Sequence, residues 1–220
     1  MKVGDLTSRI LVKRDEIPQD RAELVGISGI DASGKGFVAQ NIAGELDAAG
    51  LNVALINADA WLDLPQVRFA SDRSFGTESD SRHRSNAGLH FYNHALRLDA
   101  MFENLVIPLS RARSAETTIN YASETDLQFS RRTYVYQDVD IILLEGIFIY
   151  KQRFVPHFDL RIWIECSFDV ALERAVRRRQ ENLSAADTVK AYERIYFPAQ
   201  HVHIELDDPI ATADVIYPNG

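Results

Sequence analysis

A chain of 220 residues, 46% hydrophobic and 25% charged, is long enough to bury a sizeable core and has the balance of an ordinary globular domain. Its single cysteine, Cys166, excludes an internal disulfide framework, and a net charge of −8 excludes a surface that coats nucleic acid. Apolar runs such as IILLEGIFIY are too short to span a membrane, and the charged N-terminus MKVGDLTSRILVKRDEIPQD does not read as a secretory signal, so the reducing cytoplasm is the expected compartment.

LVGIS (24–28) reads as the first β-strand. ISGIDASGKGF (27–37) follows and opens into a helix in which Val38, Ile42 and Leu46 recur every fourth residue, with Ala39 and Ala43 beside them and Gly50 at the end. VALIN (53–57) is the second strand. From about 65 to 135 the chain is rich in Arg, Ser, Asn and His and breaks the strand–helix alternation. Within it Leu98, Met101, Phe102 and Leu105 trace one helix face, expected to end before Pro108, and the remainder is expected to be irregular loops. DIILLE (140–145), LRIWIE (160–165) and DVIY (214–217) are further strands, with helices through ALERAVRRRQENL and AADTVKAYERIYF before the last. Near-continuous apolarity in the middle strands predicts burial on both faces of a parallel sheet. The expected class is α/β, one domain over 1–220 with a mostly parallel five-stranded sheet and an insertion at 65–135.

The stretch 27–37 matches the phosphate-cradling pattern G-x-x-x-x-G-K-[ST] at every position but the last, because Gly36 stands where a hydroxyl is usual. Its position between a strand and an amphipathic helix is the context that chemistry requires. Glycines let successive N–H groups face one anion, the helix N-terminus adds its dipole, and Lys35 reaches the terminal phosphates as a point charge. Strand DIILLE delivers Glu145 to its C-terminal end, where ligands bind in open α/β sheets and a carboxylate can hold a metal-bound water. INADAWLD places Asp59 just past the second strand, at the same sheet edge, where a carboxylate can orient an acceptor hydroxyl and take its proton. Asp63 is a second carboxylate nearby, and Trp61 suits either packing or a pocket wall. Basic residues cluster at Arg111/Arg113, Arg131/Arg132 and Arg174–Arg179. On a helix Arg174 and Arg178 share a face, which suits either a lid over phosphates or a solvated surface.

In order and motif the chain resembles the P-loop kinases of the uridine kinase and phosphoribulokinase group, from about residue 22 to the end. INADAWL is similar to that group's strand-end aspartate motif, LLEGIF to its V-E-G strand, RAVRRR loosely to its arginine lid, and ADVIYPNG to its C-terminal ending. The resemblance implies a three-layer P-loop NTPase fold in one kinase domain, with a substrate-binding insertion at about 65–135 and a lid and following helix at about 174–200. It implies an ATP-dependent kinase that transfers the γ-phosphoryl group to a hydroxyl of a small molecule. ATP would be held by Gly29, Ile30, Asp31, Ala32, Ser33 and Gly34, continuing through Lys35, Gly36 and Phe37. Asp59 takes the position of the catalytic base, Glu145 with Asp59 that of the Mg²⁺ site, and Lys35, Arg174 and Arg178 act on the transferring group. Its partners are then ATP and the acceptor, with no nucleic acid and no membrane, while assembly into a homo-oligomer stays open.

The departures bear on the acceptor and the metal. HFYNHA puts Tyr92 where uridine kinases carry a nucleoside-binding aspartate, and NYASET replaces their Y-D-F segment. A nucleoside such as uridine, or a related sugar-like metabolite, is the expected acceptor, with Trp61, His83, Phe91, Tyr92 and Tyr121 as pocket candidates. Neither Gly36 nor Phe37 offers a hydroxyl, so Mg²⁺ would be held by Glu145 and Asp59 through water. The alternative is a nucleotide-binding protein without phosphoryl transfer, a sensor or partner module. No N-K-x-D motif reads guanine.

Overall fold

The computed structural model describes residues 1–70, 81–178 and 183–220, and of residues 81–86 the backbone alone. Helix α1 (Val3–Glu16) leads into β1 (Glu23–Gly29), then α2 (Lys35–Ala48) and β2 (Val53–Asn57). A 3-10 turn (Ala58–Trp61) and the short α3 (Pro65–Arg68) precede α4 (Ser81–His94). Next come α5 (Leu98–Met101) and α6 (Ile107–Ala112), then the strands β3 (Ala115–Tyr121), β4 (Ser130–Tyr136), β5 (Ile141–Glu145) and β6 (Leu160–Glu165). Helices α7 (Phe168–Arg178), α8 (Ala185–Ala191), α9 (Phe197–Asp207) and α10 (Pro209–Thr212) and strand β7 (Val215–Pro218) complete the chain.

The main sheet runs β2-β5-β1-β6-β7, with every neighbouring pair parallel. This is the expected α/β architecture, a five-stranded sheet between two helical layers. All five strands fall within one residue of their sequence-read bounds at either end. The period of two along each strand sorts the side chains onto the two faces. Val25, Ile27, Ile141, Leu143 and Ile162 face α1 and α2, meeting Leu6, Ile10, Val38, Ile42 and Leu46. Leu24, Ile142, Leu144 and Trp163 face the opposite layer, with Phe91, Leu98, Met101, Phe102 and Ala199. Burying one such Leu or Ile contributes about 1.5–3 kcal/mol, so each face is a substantial core. No helix among the described residues is long and apolar enough to cross a membrane.

Register sets the site. Ile27 lies beside Glu145, and Glu145 beside Asn57, so β1, β5 and β2 end in line. The loop after β1, the turn after β2 and the end of β5 therefore share one sheet edge.

Two expectations are corrected. Pro108 does not end its helix: a π-helical segment, Phe102–Val106, joins α5 to α6, and the Ile107 N–H bonds the carbonyl of Phe102 five residues back. That wide turn makes room for the proline ring and absorbs its missing donor. The same device recurs at Pro198, where segment Tyr192–Tyr196 joins α8 to α9 and the Phe197 N–H bonds the Tyr192 carbonyl. The helix read through AADTVKAYERIYF thus continues to Asp207. The 65–135 region is also more regular than loops: besides its helices, β3 and β4 form an antiparallel hairpin in which Ala115 faces Tyr136 and Tyr121 faces Ser130.

Candidate active site

The phosphate loop starts where β1 stops, and Gly34, left-handed at φ 92°, turns it into α2. A side chain at Gly34 would be strained by that backbone and would also run into Asn219. Lys35 is buried, and its ammonium donates to the Ile30 carbonyl at 3.0 Å, folded back into the loop. The Ser33 carbonyl accepts from Asn219 Nδ2 at 2.7 Å and from Arg174 Nη1 at 3.2 Å. The Ser33 hydroxyl is buried without a hydrogen-bond partner among the described residues. Asp31 accepts at Oδ1 from the Ala32 N–H (2.8 Å) and at Oδ2 from the Tyr192 hydroxyl (2.5 Å), and Arg178 lies 3.9 Å away.

The turn after β2 is capped by Asn57, whose side chain accepts from the Asp59 N–H at 2.7 Å. Asp59 sits among the cleft walls, and the solvent it loses there pushes its carboxyl up to about 6 against the pull of Lys35. Its side chain still meets water at the cleft surface, so the walls and not full enclosure cause the shift. Glu145 is buried at the end of β5 and is pushed up to about 7 by burial, with Lys35 opposing and Asp59 and Asp31 adding repulsion. Three carboxylates and one lysine thus share the floor of the site.

These groups open onto a cleft of about 1060 Å³. One wall carries Trp61, stacked on Tyr134 at 5.6 Å, with Tyr134 in turn parallel to Tyr136 at 6.4 Å. The hairpin that the sequence did not reveal therefore supplies much of the aromatic lining. Tyr121 also lines the cleft, with the Arg132 guanidinium 3.6 Å over its ring. Phe91 lines it from α4 and packs edge-on against Tyr196 at 5.1 Å.

The site suits a nucleotide's phosphates: a buried lysine and two arginines from α7 arrive at one glycine-containing loop at the start of a helix. It also suits a hydrated divalent cation. Asp59 and Glu145 offer hard oxygens, and Gly36 borders Glu145 closely enough that a Cβ there would lie 3.6 Å from Glu145 Oε1. Among the described residues no group of three or more His, Cys, Asp or Glu side chains is gathered to hold a metal alone.

The sequence profile of the Phosphoribulokinase / Uridine kinase family matches residues 24–202. The chain belongs to this family. It is 24% identical over 204 residues to the uridine kinase of Proteus mirabilis (strain HI4320), covering 90% of this chain and 87% of that one. Its fold is similar to that of a protein described as a possible uridine kinase of Bacillus stearothermophilus, at TM-score 0.73 and 21% identity over 98% of this chain and 96% of that one. It is also similar to the D-glycerate 3-kinase of Cryptococcus neoformans var. grubii, at TM-score 0.61 and 11% identity over 94% and 89%.

Within this family member the structure brings together the phosphate loop, Asp59, Glu145, Arg174, Arg178, Trp61, Phe91 and Tyr121 around one cleft. Arg177 also reaches its rim but pairs with Glu173 at 3.4 Å. Tyr92 is not among the groups that line the cleft. Its hydroxyl is turned to Asp207 at 2.5 Å, where His203 also bonds Asp207 at 2.8 Å and the Lys151 ammonium lies 3.9 Å over the Tyr92 ring. On a helix consecutive residues point about 100° apart, and here that offset turns Tyr92 toward Asp207 while Phe91 lines the cleft. The side chain of His83, and Arg179, lie outside the described residues. Sequence reasoning missed Tyr192, Asn219, Tyr134, Tyr136, Arg68 and Gln200. The ADVIYPNG ending was the one signal for Asn219; the others stand on elements whose placement depends on tertiary packing.

Proposed function

We propose that the protein is an ATP-dependent kinase that transfers the γ-phosphoryl group to a hydroxyl of a small molecule, a nucleoside or a related sugar-like metabolite. The observation that carries this reading is the alignment of strand ends that gathers the loop, Asp59 and Glu145 beneath Arg174 and Arg178. In this mechanism the loop amides and Lys35 hold the phosphates, with Lys35 leaving the Ile30 carbonyl for the nucleotide. Asp59 orients the acceptor hydroxyl and takes its proton as the oxygen attacks phosphorus and the bond to the leaving ADP breaks. Arg174 and Arg178 offset charge on the transferring group and exclude water. Mg²⁺, held by Glu145 and Asp59 through water, would neutralise phosphate charge. The aromatic walls, where the half-buried Tyr121, Tyr134 and Tyr136 are backed by Trp61, suit the flat face of a base. Rate then comes mainly from positioning, since the protein supplies little covalent chemistry.

Acceptor-dependent ADP release with Mg-ATP, screened over nucleosides, sugars, glycerate and pantothenate, tests the reading. Gly36 motivates the second reading, nucleotide binding without transfer. Tight ATP binding with no acceptor stimulating ADP release across that screen would decide for it.

A further inference from the structure

The buried polar groups of the cleft are not all used by the phosphate end. Arg68, at the close of α3, is only 2% exposed, yet among the described residues its guanidinium meets no carboxylate. One Nη2 donates to the Glu124 carbonyl at 2.5 Å, the plane lies 5.0 Å from the Phe69 ring, and Nε is buried without a partner among the described residues. The half-buried Arg21, Arg113 and Arg161, by contrast, each close on an aspartate at 2.6–2.8 Å. Among the described residues Arg14 and Arg97 also lack a carboxylate, but each donates to two carbonyls, and neither lines the cleft.

Gln200 is the second such group. It is 1% exposed on α9 and lines the cleft, and neither atom of its amide has a hydrogen-bond partner among the described residues. Both residues line the cleft, and an aromatic cluster links the elements that carry them. Phe69, next to Arg68, stacks on Phe91 at 5.7 Å and meets Tyr196 at 6.4 Å, and Gln200 follows Tyr196 by one helical turn. A buried charge without a counter-ion and a buried amide with both ends unmade are costly unless a ligand completes them.

We infer that the phosphoryl acceptor is an anion, its carboxylate or phosphate group paired with Arg68 and a neighbouring hydroxyl or carbonyl bound by the Gln200 amide. This rests on the kinase reading of the same cleft and sharpens it: the sugar-like or nucleoside-like acceptor carries a negative charge at the end away from the reacting hydroxyl. A guanidinium takes either group in the same forked geometry, so carboxylate and phosphate are separated by experiment. A neutral nucleoside would leave the Arg68 guanidinium without a counter-ion among the described residues.

The test has a binding arm and a turnover arm, both on the full chain. In the first, ribose 5-phosphate and D-glycerate are titrated beside their neutral counterparts, ribose and glycerol, without ATP, for wild type, Arg68→Met and Arg68→Lys. At least one anion is expected to bind and its neutral partner not, with Arg68→Met weakening it about 10- to 100-fold and Arg68→Lys restoring part of the loss. Which anion binds identifies the group. Among the described residues Arg68 has no carboxylate to lose, so Arg68→Met is expected to lower the Tm by no more than its single bond to the Glu124 carbonyl accounts for, whereas an arginine held by an ion pair would lower it further. Should Arg68→Met fail to fold, Arg68→Lys and Gln200→Leu carry the same comparison. Binding of neither anion, or binding that Arg68 and Gln200 variants leave unchanged, overturns the inference. The turnover arm adds Mg-ATP to the bound anion: binding without ADP release would overturn the kinase reading and leave the anion subsite standing.

Discussion

The hydroxyl of Tyr192 donates a 2.5 Å hydrogen bond to Asp31 in the phosphate loop. Tyr192 opens the π-helical segment between α8 and α9, so the widened turn that accommodates Pro198 also aims this ring at the loop. Arg178, 3.9 Å from the same carboxylate, and Arg174, on the Ser33 carbonyl, reach the loop from α7. The arginine helix and the helix after it thus meet the loop before any nucleotide does. Tyr192→Phe is expected to cost about 1 kcal/mol in stability, and to raise the Kd for Mg-ATP about 3- to 10-fold by loosening the loop. Thermal unfolding and ATP titration read both effects; unchanged ATP affinity would show the tether to be structural only.

The division of labour on the cleft floor is testable with two substitutions. Lys35→Ala is expected to abolish turnover, since no other lysine lines the cleft among the described residues. Asp59→Asn is expected to spare ATP binding and to lower acceptor-dependent ADP release by about 10²- to 10⁴-fold, the usual weight of a general base. Full ADP production by Asp59→Asn with the true acceptor would remove Asp59 from that role.

Gly36 offers the converse experiment, a gain. Its backbone is ordinary helix, and a Cβ there would sit 3.6 Å from Glu145 Oε1, in normal van der Waals contact. Gly36→Ser is therefore expected to keep or raise stability, by up to about 1 kcal/mol through the unfolded chain. It should also lower the Mg²⁺ concentration needed for half-maximal ATP binding. A Mg²⁺ requirement that does not move would mean that the cation is held elsewhere.

What the sequence disclosed was what chain periodicity encodes. The five sheet strands carry short, mostly apolar runs, and the loop's glycines and lysine stand at fixed spacing, so both were legible. The β3–β4 hairpin was not, because AETTINY and SRRTYVY bury only part of one face and carry polar or charged residues on the other. Helix α1 was overlooked although Leu6 and Ile10 stand four apart, the spacing that packs it on α2. The helix end read at Pro108 failed because a local rule about proline was overridden by one wide turn. Arg68 and Gln200 carry no sequence signal: only burial with polar atoms left unsatisfied among the described residues distinguishes them.

Tyr92 separates resemblance from placement. The motif pointed it at the acceptor, whereas its ring packs edge-on against Phe148 at 5.3 Å and its hydroxyl serves Asp207. Burial pushes the neighbouring Lys151 down to about 8. Tyr92→Phe is expected to destabilise the fold by about 1–3 kcal/mol, because Asp207 loses a charge-assisted bond, and to leave the acceptor KM unchanged. A raised KM at unchanged stability would return Tyr92 to the pocket.

Glu23 gives the fold a pH dependence independent of the cleft. It opens β1 fully buried, and neither carboxyl oxygen has a hydrogen-bond partner among the described residues. Burial pushes its carboxyl up to about 8, with Asp159 adding repulsion and Arg14, Lys13 and Arg21 opposing. An unfolded glutamate ionises near 4.3, so between that pH and about 8 the folded chain holds a proton that the unfolded chain has released. Stability is therefore highest below the unfolded value, falls as pH rises through this window, and stays low above it. Glu23→Gln keeps the shape and removes the titration. It is expected to match wild type near pH 4 and to exceed it by about 2–4 kcal/mol near pH 9, with the gap opening between those limits. Denaturant unfolding across that range measures the gap, and a difference that stays constant with pH would show that Glu23 is ionised and paired in the folded chain.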